Sequence, residues 1–326
     1  MKDNKRLLIT GAAGFIGSYA SKYYLNLGYE VIGVDNLNSY YDVGLKKLRL
    51  EELNNLNNFL FKKLDLINLE QLEEIFSTFK PEIVIHLAAQ AGVRHSLIDP
   101  QSYLNSNVIS FYNLLECLKR SPVEKFIFAS SSSVYGNSSK VPYSESDKTS
   151  SPVSLYAATK KTNEVLAYSF AFNNSTPTIG LRFFTVYGPK GRPDMAYFKF
   201  ADLISSNKEM TIYNEGKMSR DMTYIDDIIQ GLSKAVSFDS FKSETPFEIF
   251  NLGNNSPVST WQLVQYIEKY FDKECNYSFQ NSSIEVKETW ANINKSEKLL
   301  EFAPTTEFSK GMANFLDWFK SYKQIK

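Results

Sequence analysis

Arg6-Leu7-Leu8-Ile9-Thr10-Gly11-Ala12-Ala13-Gly14-Phe15-Ile16-Gly17 decides the fold of this chain. The first five residues form a short apolar run that reads as a buried strand, and three glycines follow at once in the spacing GxxGxxG. A helical pattern then occupies residues 18–27, Gly28 stops it, and Glu30-Val31-Ile32-Gly33-Val34 reads as a second strand ending in Asp35. Strand, glycine turn, helix, strand and acid in this order make a βαβ unit whose turn lets a pyrophosphate approach a helix N-terminus. A carboxylate at the end of the second strand suits the two ribose hydroxyls of NAD and would repel the 2′-phosphate of NADP.

Working outward, strand and helix patterns alternate through the first half. Residues 58–64, 83–89, 125–129 and 178–183 read as further strands, and 69–79, 103–119 and 155–172 as helices. This alternation predicts an α/β fold, a Rossmann-type doubly wound parallel sheet with ligands at the carboxyl ends of its strands. Beyond Phe184 the pattern becomes irregular, punctuated by Pro189, Pro193, Pro257 and Pro304. The expected organisation is an NAD-binding domain over 1–183, completed by part of 222–252, and a smaller, mixed α/β substrate domain over 184–326.

Composition narrows the function. Lys and Arg total 36 and Asp and Glu total 36, so no global field draws the chain to nucleic acid or an anionic membrane. No apolar run approaches the length of about 20 residues that spans a bilayer, and no signal peptide is read at the N-terminus, so a cytoplasmic location is expected. Cys117 and Cys275 suggest no disulfide framework, and His86 and His95 cannot build a metal cluster. His86, within a strand pattern, reads as a packed or hydrogen-bonded core residue.

The candidate chemistry lies further along. Tyr156-Ala157-Ala158-Thr159-Lys160 places a phenol and an ammonium four residues apart, on one face of a helix. A tyrosine at its ordinary pKa of about 10 is a poor base, and a fixed cation beside it favours the phenolate, so Lys160 is expected to lower Tyr156. Upstream, the strand at 125–129 opens into Ser130-Ser131-Ser132-Ser133-Val134-Tyr135-Gly136, a run of hydroxyls at the expected mouth of the cofactor cleft. One of them can hydrogen-bond the reacting oxygen within reach of Tyr156.

Residues 11–17, Asp35, the serine stretch and the Tyr156/Lys160 pair together resemble the extended short-chain dehydrogenase/reductase family, in particular its nucleotide-sugar epimerases and dehydratases. The resemblance covers nearly the whole chain. It implies tightly bound NAD+ and a proton-transfer group of Tyr156, Lys160 and Ser131. By the same resemblance the cofactor would meet Gly11, Ala13, Gly14, Phe15, Ile16 and Gly17 at the turn, then Asp35, Asn36 and Asn38. Asp65, Leu66, Leu87, Ala88, Ala89, Gln90, Ser106, Ala129, Ser130, Phe184 and Val186 complete that implied set, with Tyr156 and Lys160 at its reactive end.

The resemblance also separates branches. Dehydratases of the family carry Asp-Glu where this chain has Ser132 and Ser133, and decarboxylases carry Glu at the position of Ser133. A 4-epimerase needs no such acid. Arg182-Phe183-Phe184-Thr185-Val186-Tyr187-Gly188-Pro189-Lys190-Gly191-Arg192-Pro193-Asp194-Met195-Ala196, the stretch from Gly216 to Asp227, and Asn36-Leu37-Asn38-Ser39-Tyr40-Tyr41-Asp42 are similar to UDP-glucuronate 4-epimerases. Transient oxidation at C4, turning of the 4-keto sugar and re-reduction of its opposite face are implied. Thr185 and the hydroxyls of Ser131, Ser132 and Ser133 would cradle the C5 carboxylate, with Arg192 as a second candidate, for the carboxylate or the phosphates. Arg220 would meet the pyrophosphate, since a guanidinium matches phosphate geometry. Arg94 and Met195 would join the substrate wall, and Ile212, Tyr213 and Asn214 would pack the uracil. Two departures stand out: Ser106 occupies a position where many relatives have Asn, and Glu285 stands where relatives show Gly-Asp on the uridine side. Two other readings remain open: an epimerase of neutral UDP-hexoses such as UDP-glucose or UDP-N-acetylglucosamine, and an NAD-binding regulatory protein without turnover. A homodimer through the helices at 103–119 and 155–172 is a further expectation of the resemblance.

Overall fold

The computed structural model describes residues 5–281 and 287–325. The N-terminal half alternates β1 (Arg6–Thr10), α1 (Phe15–Asn26), β2 (Glu30–Asp35), α2 (Val43–Asn54), β3 (Phe59–Lys63), α3 (Leu69–Phe79) and β4 (Ile83–His86). It continues through α4 (Pro100–Tyr103), α5 (Ser110–Arg120), β5 (Lys125–Ser131), α6 (Leu155–Asn174) and β6 (Thr178–Phe183). Then come β7 (Thr185–Tyr187), α7 (Ala196–Ser205), β8 (Met210–Tyr213), β9 (Ser219–Tyr224), α8 (Ile225–Ser237) and β10 (Phe247–Leu252). The remainder holds β11 (Pro257–Ser259), α9 (Thr260–Phe271), β12 (Tyr277–Gln280), β13 (Glu288–Thr289), α10 (Asn294–Leu300) and α11 (Phe308–Tyr322).

Seven parallel strands form the central sheet in the order β10-β6-β5-β4-β1-β2-β3. Covered on both faces by helices, its inner strands read as continuous apolar runs: Leu7, Leu8 and Ile9 of β1 and Val84 and Ile85 of β4 are wholly buried. The strand order reverses between β1 and β4, so the connections leaving the carboxyl ends of these two parallel strands diverge and open a crevice. Past β6 the chain crosses this crevice. β7 pairs with β9, β9 with β11 and β13, and β8 with β12, building a wall opposite the large sheet. β10 then returns to the sheet beside β6.

Three local readings change. The helix expected over 103–119 is broken: α4 starts at Pro100 with Asp99 as its cap, and residues 104–109 form a π-helical turn before α5. The cause is Asn107, whose buried side chain accepts from Gln90 N (2.7 Å) and donates to Gln90 O (3.0 Å) and Thr159 Oγ1 (3.0 Å). Such turns are frequent at functional sites. The strand expected over 83–89 ends at His86, leaving residues 87–90 as irregular backbone at the crevice. Finally, α2 was not read from the sequence at all.

Candidate active site

The glycine turn is the tightest part of the site. Gly11 has φ +73°, and a Cβ there would stand 2.7 Å from Ala88 N, while one on Gly17 would stand 2.0 Å from Gly11 O. Only hydrogen fits between turn, helix and β4 strand end, which is the construction that brings backbone close to a pyrophosphate at the start of α1. The residues present therefore fit a dinucleotide. Asp35, at the end of β2, accepts from Leu37 N at 2.8 Å and from the amide of Ala13. Burial raises its pKa, opposed by Lys46 and these amides.

A cleft of about 1050 Å³ runs from this turn across the strand ends. Gly11, Gly14, Phe15, Ile16, Gly17, Asp35, Asn36, Asn38, Asp65 and Leu66 line it, with Leu87, Ala88, Ala89, Gln90, Ser106, Ala129 and Ser130. Toward the other end it is walled by Arg94, Ser131, Ser132, Ser133, Tyr156, Lys160, Phe184, Thr185, Val186, Arg192, Met195, Tyr213 and Arg220. Three of the residues singled out above lie elsewhere. Ala13 is buried behind the turn, its carbonyl accepting from Arg49 at 3.0 Å. Ile212 is wholly buried because side chains alternate along β8: Thr211 and Tyr213 face the cleft and Ile212 the core. Asn214 occupies the left-handed turn after β8 and does not line the cleft. Glu285 lies outside the described residues.

At the centre, Ser154 caps α6 by accepting from Ala157 N (3.1 Å), which sets Tyr156 in the first turn and Lys160 one turn below. β5 runs two residues further than its apolar run suggested, so Ser130 and Ser131 are strand residues and buried. The serine hydroxyls divide. Ser130 donates to Glu164 Oε1 at 2.6 Å, joining the buried Glu164–Arg182 ion pair. Ser131 is hydrogen-bonded with Tyr156 and also lies 3.2 Å from both the amide and the hydroxyl of Ser133.

The expected electrostatics of Tyr156 and Lys160 are corrected. The Tyr156 pKa is raised, chiefly by burial, and the groups that pull it back are the Ser131 hydroxyl and the Arg192 guanidinium. Lys160 does not supply that pull. Its ammonium donates to Ala129 O at 2.8 Å, and burial lowers its own pKa to about 8. Desolvation acts on both, favouring the neutral phenol and the neutral amine.

Arg192 is held by Asp194, with Nε to Oδ1 at 3.0 Å and Nη2 to Oδ2 at 2.5 Å, and Asp194 in turn accepts from Tyr40 Oη at 3.1 Å. Burial opposes both charges, yet each partner keeps the other ionised: Arg192 is raised and Asp194 lowered. Across the cleft, the Arg94 guanidinium lies 4.0 Å from the centre of the Tyr213 ring. Arg220 donates to Ser219 O at 2.9 Å. Tyr40, Lys46, His95, Asp194, Lys199 and Thr289 also line the cleft and were not read from the sequence as site residues. Lys46 had a signal: it recurs with Leu45, Arg49 and Leu53 at helical spacing, polar residues on an otherwise apolar stripe. His86 is core, 2.8 Å from Thr10 Oγ1, with its pKa lowered to about 3 by burial and by Lys160.

A Rossmann-type sheet, a glycine turn closed to any side chain and a buried tyrosine hydrogen-bonded with a serine at the strand ends define a nucleotide-binding α/β protein. The chain belongs to the NAD dependent epimerase/dehydratase family, which matches residues 7–253. It is 43% identical to Protein CapI of Staphylococcus aureus, an alignment covering 97% of this chain and 99% of that protein. UDP-glucuronate 4-epimerase 1 of Arabidopsis thaliana is also 43% identical, over 97% of this chain and 77% of the plant protein. Among solved structures, the UDP-glucuronic acid 4-epimerase of Bacillus cereus, in complex with UDP-glucuronic acid and NAD, superposes with a TM-score of 0.90 at 36% identity. That match covers 97% of this chain and 99% of the other.

Proposed function

We propose that this protein is an NAD-dependent isomerase that interconverts UDP-glucuronate and UDP-galacturonate by inverting C4. The observation that carries the reading is the hydrogen-bonded Tyr156–Ser131 pair standing over neutral hydroxyls, with no carboxylate at positions 132 or 133. Dehydration or decarboxylation needs an additional acid–base group there by the family's pattern. Full-length likeness to UDP-glucuronate 4-epimerases supports the substrate.

In this reading the turn at 11–17 and Asp35 hold the dinucleotide at one end, with residues 65–66 and 87–90, Ser106 and Ala129 along its length. Phe184, Val186 and Lys160 border its nicotinamide end. Bound there, NAD+ supplies the acceptor, and afterwards the donor, of the hydride at C4. Tyr156 takes the proton of the C4 hydroxyl and gives it back on the other face, with Ser131 sharing the hydrogen bond throughout. Because burial keeps the phenol protonated, positive charge at this centre is what makes it a base, and Arg192 is the cation placed to provide it, with the Ser131 hydrogen bond acting in the same direction. Thr185, Ser132 and Ser133 offer hydroxyl donors to a sugar carboxylate, and Arg220 a guanidinium to the pyrophosphate. Arg94 and Tyr213 form the wall for the base.

Incubating the protein with UDP-glucuronate and separating the nucleotide sugars by chromatography and mass tests this. UDP-galacturonate at unchanged mass is expected. Loss of CO2 would make it a decarboxylase, and turnover of UDP-glucose alone would move the substrate to neutral hexoses.

The assembly proposed is a homodimer. Val165, Tyr168 and Phe172 share the outer face of α6, and Ile109 and Tyr112 extend it at the start of α5, each about half exposed or more. A second copy covers such a stripe by helix packing, and Phe172→Glu should then convert a dimer to a monomer in analytical ultracentrifugation. Among the described residues no helix is long and apolar enough to cross a membrane, and both cysteines are free and buried. These features support a cytoplasmic location.

A further inference from the structure

Arg49 is a buried cation whose direct hydrogen-bond partners, among the described residues, are all uncharged oxygens. It is 1% exposed and forms no ion pair among the described residues. All of its donors are nonetheless engaged. Nη1 donates to Ala13 O (3.0 Å) and Tyr41 Oη (2.7 Å), Nε to Lys190 O (3.0 Å), and Nη2 to Lys190 O (2.6 Å) and Gly191 O (3.2 Å). Burying a charge among neutral acceptors is costly, and its fixed fork makes it a rigid connector between what it touches.

What it touches are two segments that lie behind the cleft, one at each end. Ala13 belongs to the glycine turn, and its own amide bonds the Asp35 carboxylate. Lys190 and Gly191 sit two residues or fewer before Arg192. Their loop is chain from beyond β6, yet it hangs on the N-terminal half: Tyr19 Oη donates to Pro189 O at 3.1 Å, and Lys190 pairs with Glu52. Of these anchors, Arg49 alone bonds both the turn and the loop. Its guanidinium also lies close enough to the cleft to stabilise the Asp35 carboxylate and to oppose the charge of Lys46.

Resting on the cofactor reading above, we infer that Arg49 is a positioning residue that couples occupancy of the glycine turn to the placement of Arg192. An anion bound at the turn lowers the cost of the buried guanidinium. The guanidinium then grips the Lys190 and Gly191 carbonyls more firmly, and Arg192 is fixed over Tyr156 before the sugar arrives. The sugar nucleotide should therefore bind more tightly to the NAD-loaded protein than to the stripped one.

Two measurements test this. In wild-type protein stripped of NAD, adding NAD+ alone should slow hydrogen exchange of the amides in 188–195, while the 266–271 stretch of α9 stays unchanged. By calorimetry in a Tyr156→Phe background, which blocks turnover, UDP-glucuronate should bind about tenfold tighter with NAD+ present, the scale of one charge-assisted hydrogen bond. Arg49→Lys should reduce that ratio to within about twofold of unity. Tyr41→Phe, which removes an acceptor but leaves the turn-to-loop bonds, should keep it. Unchanged exchange in 188–195 on NAD+ binding overturns the proposal whether or not Arg49→Lys folds, as does a full ratio in a folded Arg49→Lys. Failure of NAD+ to bind overturns this inference together with the cofactor reading. Binding and turnover with no change in exchange overturn the coupling alone.

Discussion

In the reading proposed above, the two ends of the cleft, one for the cofactor and one for the sugar, are built on different principles. The cofactor end is made of backbone: a strand end, a glycine turn and a helix start within one stretch of chain, with side chains excluded at Gly11 and Gly17. The sugar end is made of side chains drawn from far apart, such as Tyr40 on Asp194 and Arg94 on Tyr213. Backbone geometry tolerates no substitution at its contact points and is written locally. A side-chain assembly can be retuned one residue at a time, as a family with one cofactor and many sugars requires.

Where the two ends meet, the largest effect is expected. Tyr156→Phe removes the proposed proton carrier while leaving ring and packing, so kcat should fall by about 10³-fold or more with NAD still bound. A stopped assay, with the retained NAD+ released by denaturation and quantified by chromatography, checks this, and substantial residual turnover would shift the proton transfer to another group. Next comes the backbone end itself. Gly17→Ala places a methyl 2.0 Å from Gly11 O, which the turn can relieve only by moving. NAD affinity should drop about a hundredfold, or stability by roughly 3 kcal/mol. Gly28→Ala is the control: its φ is +85° but nothing stands within 4 Å, so a cost of about 1 kcal/mol and intact affinity are expected.

The sugar end should bend rather than break. Asp194→Asn frees Arg192 from its ion pair, so kcat/KM should fall about 10- to 100-fold, mainly through KM. The sign of the accompanying pH effect follows from the charges. Asp194 raises the Tyr156 pKa and Arg192 lowers it. Removing the carboxylate therefore moves the rising limb of kcat against pH to lower pH. A limb that stays in place, or moves up, would show that Arg192 leaves Tyr156 once its tether is gone.

Legibility follows the same division. The β1–turn–α1–β2 unit and the strands at β5 and β6 were plain because parallel strands buried on both faces are continuous apolar runs. α2 escaped notice because its apolar stripe carries Lys46 and Arg49, whose burial depends on carbonyls and a carboxylate supplied by other segments. The π-helical turn at 104–109 was equally hidden, since Asn107 finds its partners in Gln90 and Thr159 and not in its own helix. At the site, Ile212 was read with Tyr213 as lining the sugar-nucleotide pocket, but strand alternation turns Thr211 and Tyr213 into the cleft and Ile212 into the core. The Tyr40–Asp194 contact joins residues 154 positions apart, which no local pattern records.

The smallest effect separates the two ends by acid stability. His86, beneath the cofactor end, is held neutral with a pKa of about 3, by burial first and then by Lys160. Its unfolded value is about 6.5. Between those values the unfolded chain holds a proton that the native chain does not, so stability falls as pH drops through this window. The contribution lost reaches at most about 2 kcal/mol at pH 5. Asp194, at the sugar end, is lowered from 3.8 by Arg192 and Tyr40 against burial, so its contribution is present above that value and disappears only as pH falls below it. Denaturant melts at pH 7, 5 and 3.5 should then show His86→Asn losing less stability than wild type between pH 7 and 5. Asp194→Asn should follow wild type over that interval and diverge from it only below about pH 4. Parallel curves for His86→Asn and wild type down to pH 5 would mean that the imidazole is protonated in the fold, and that Thr10 rather than burial sets its charge.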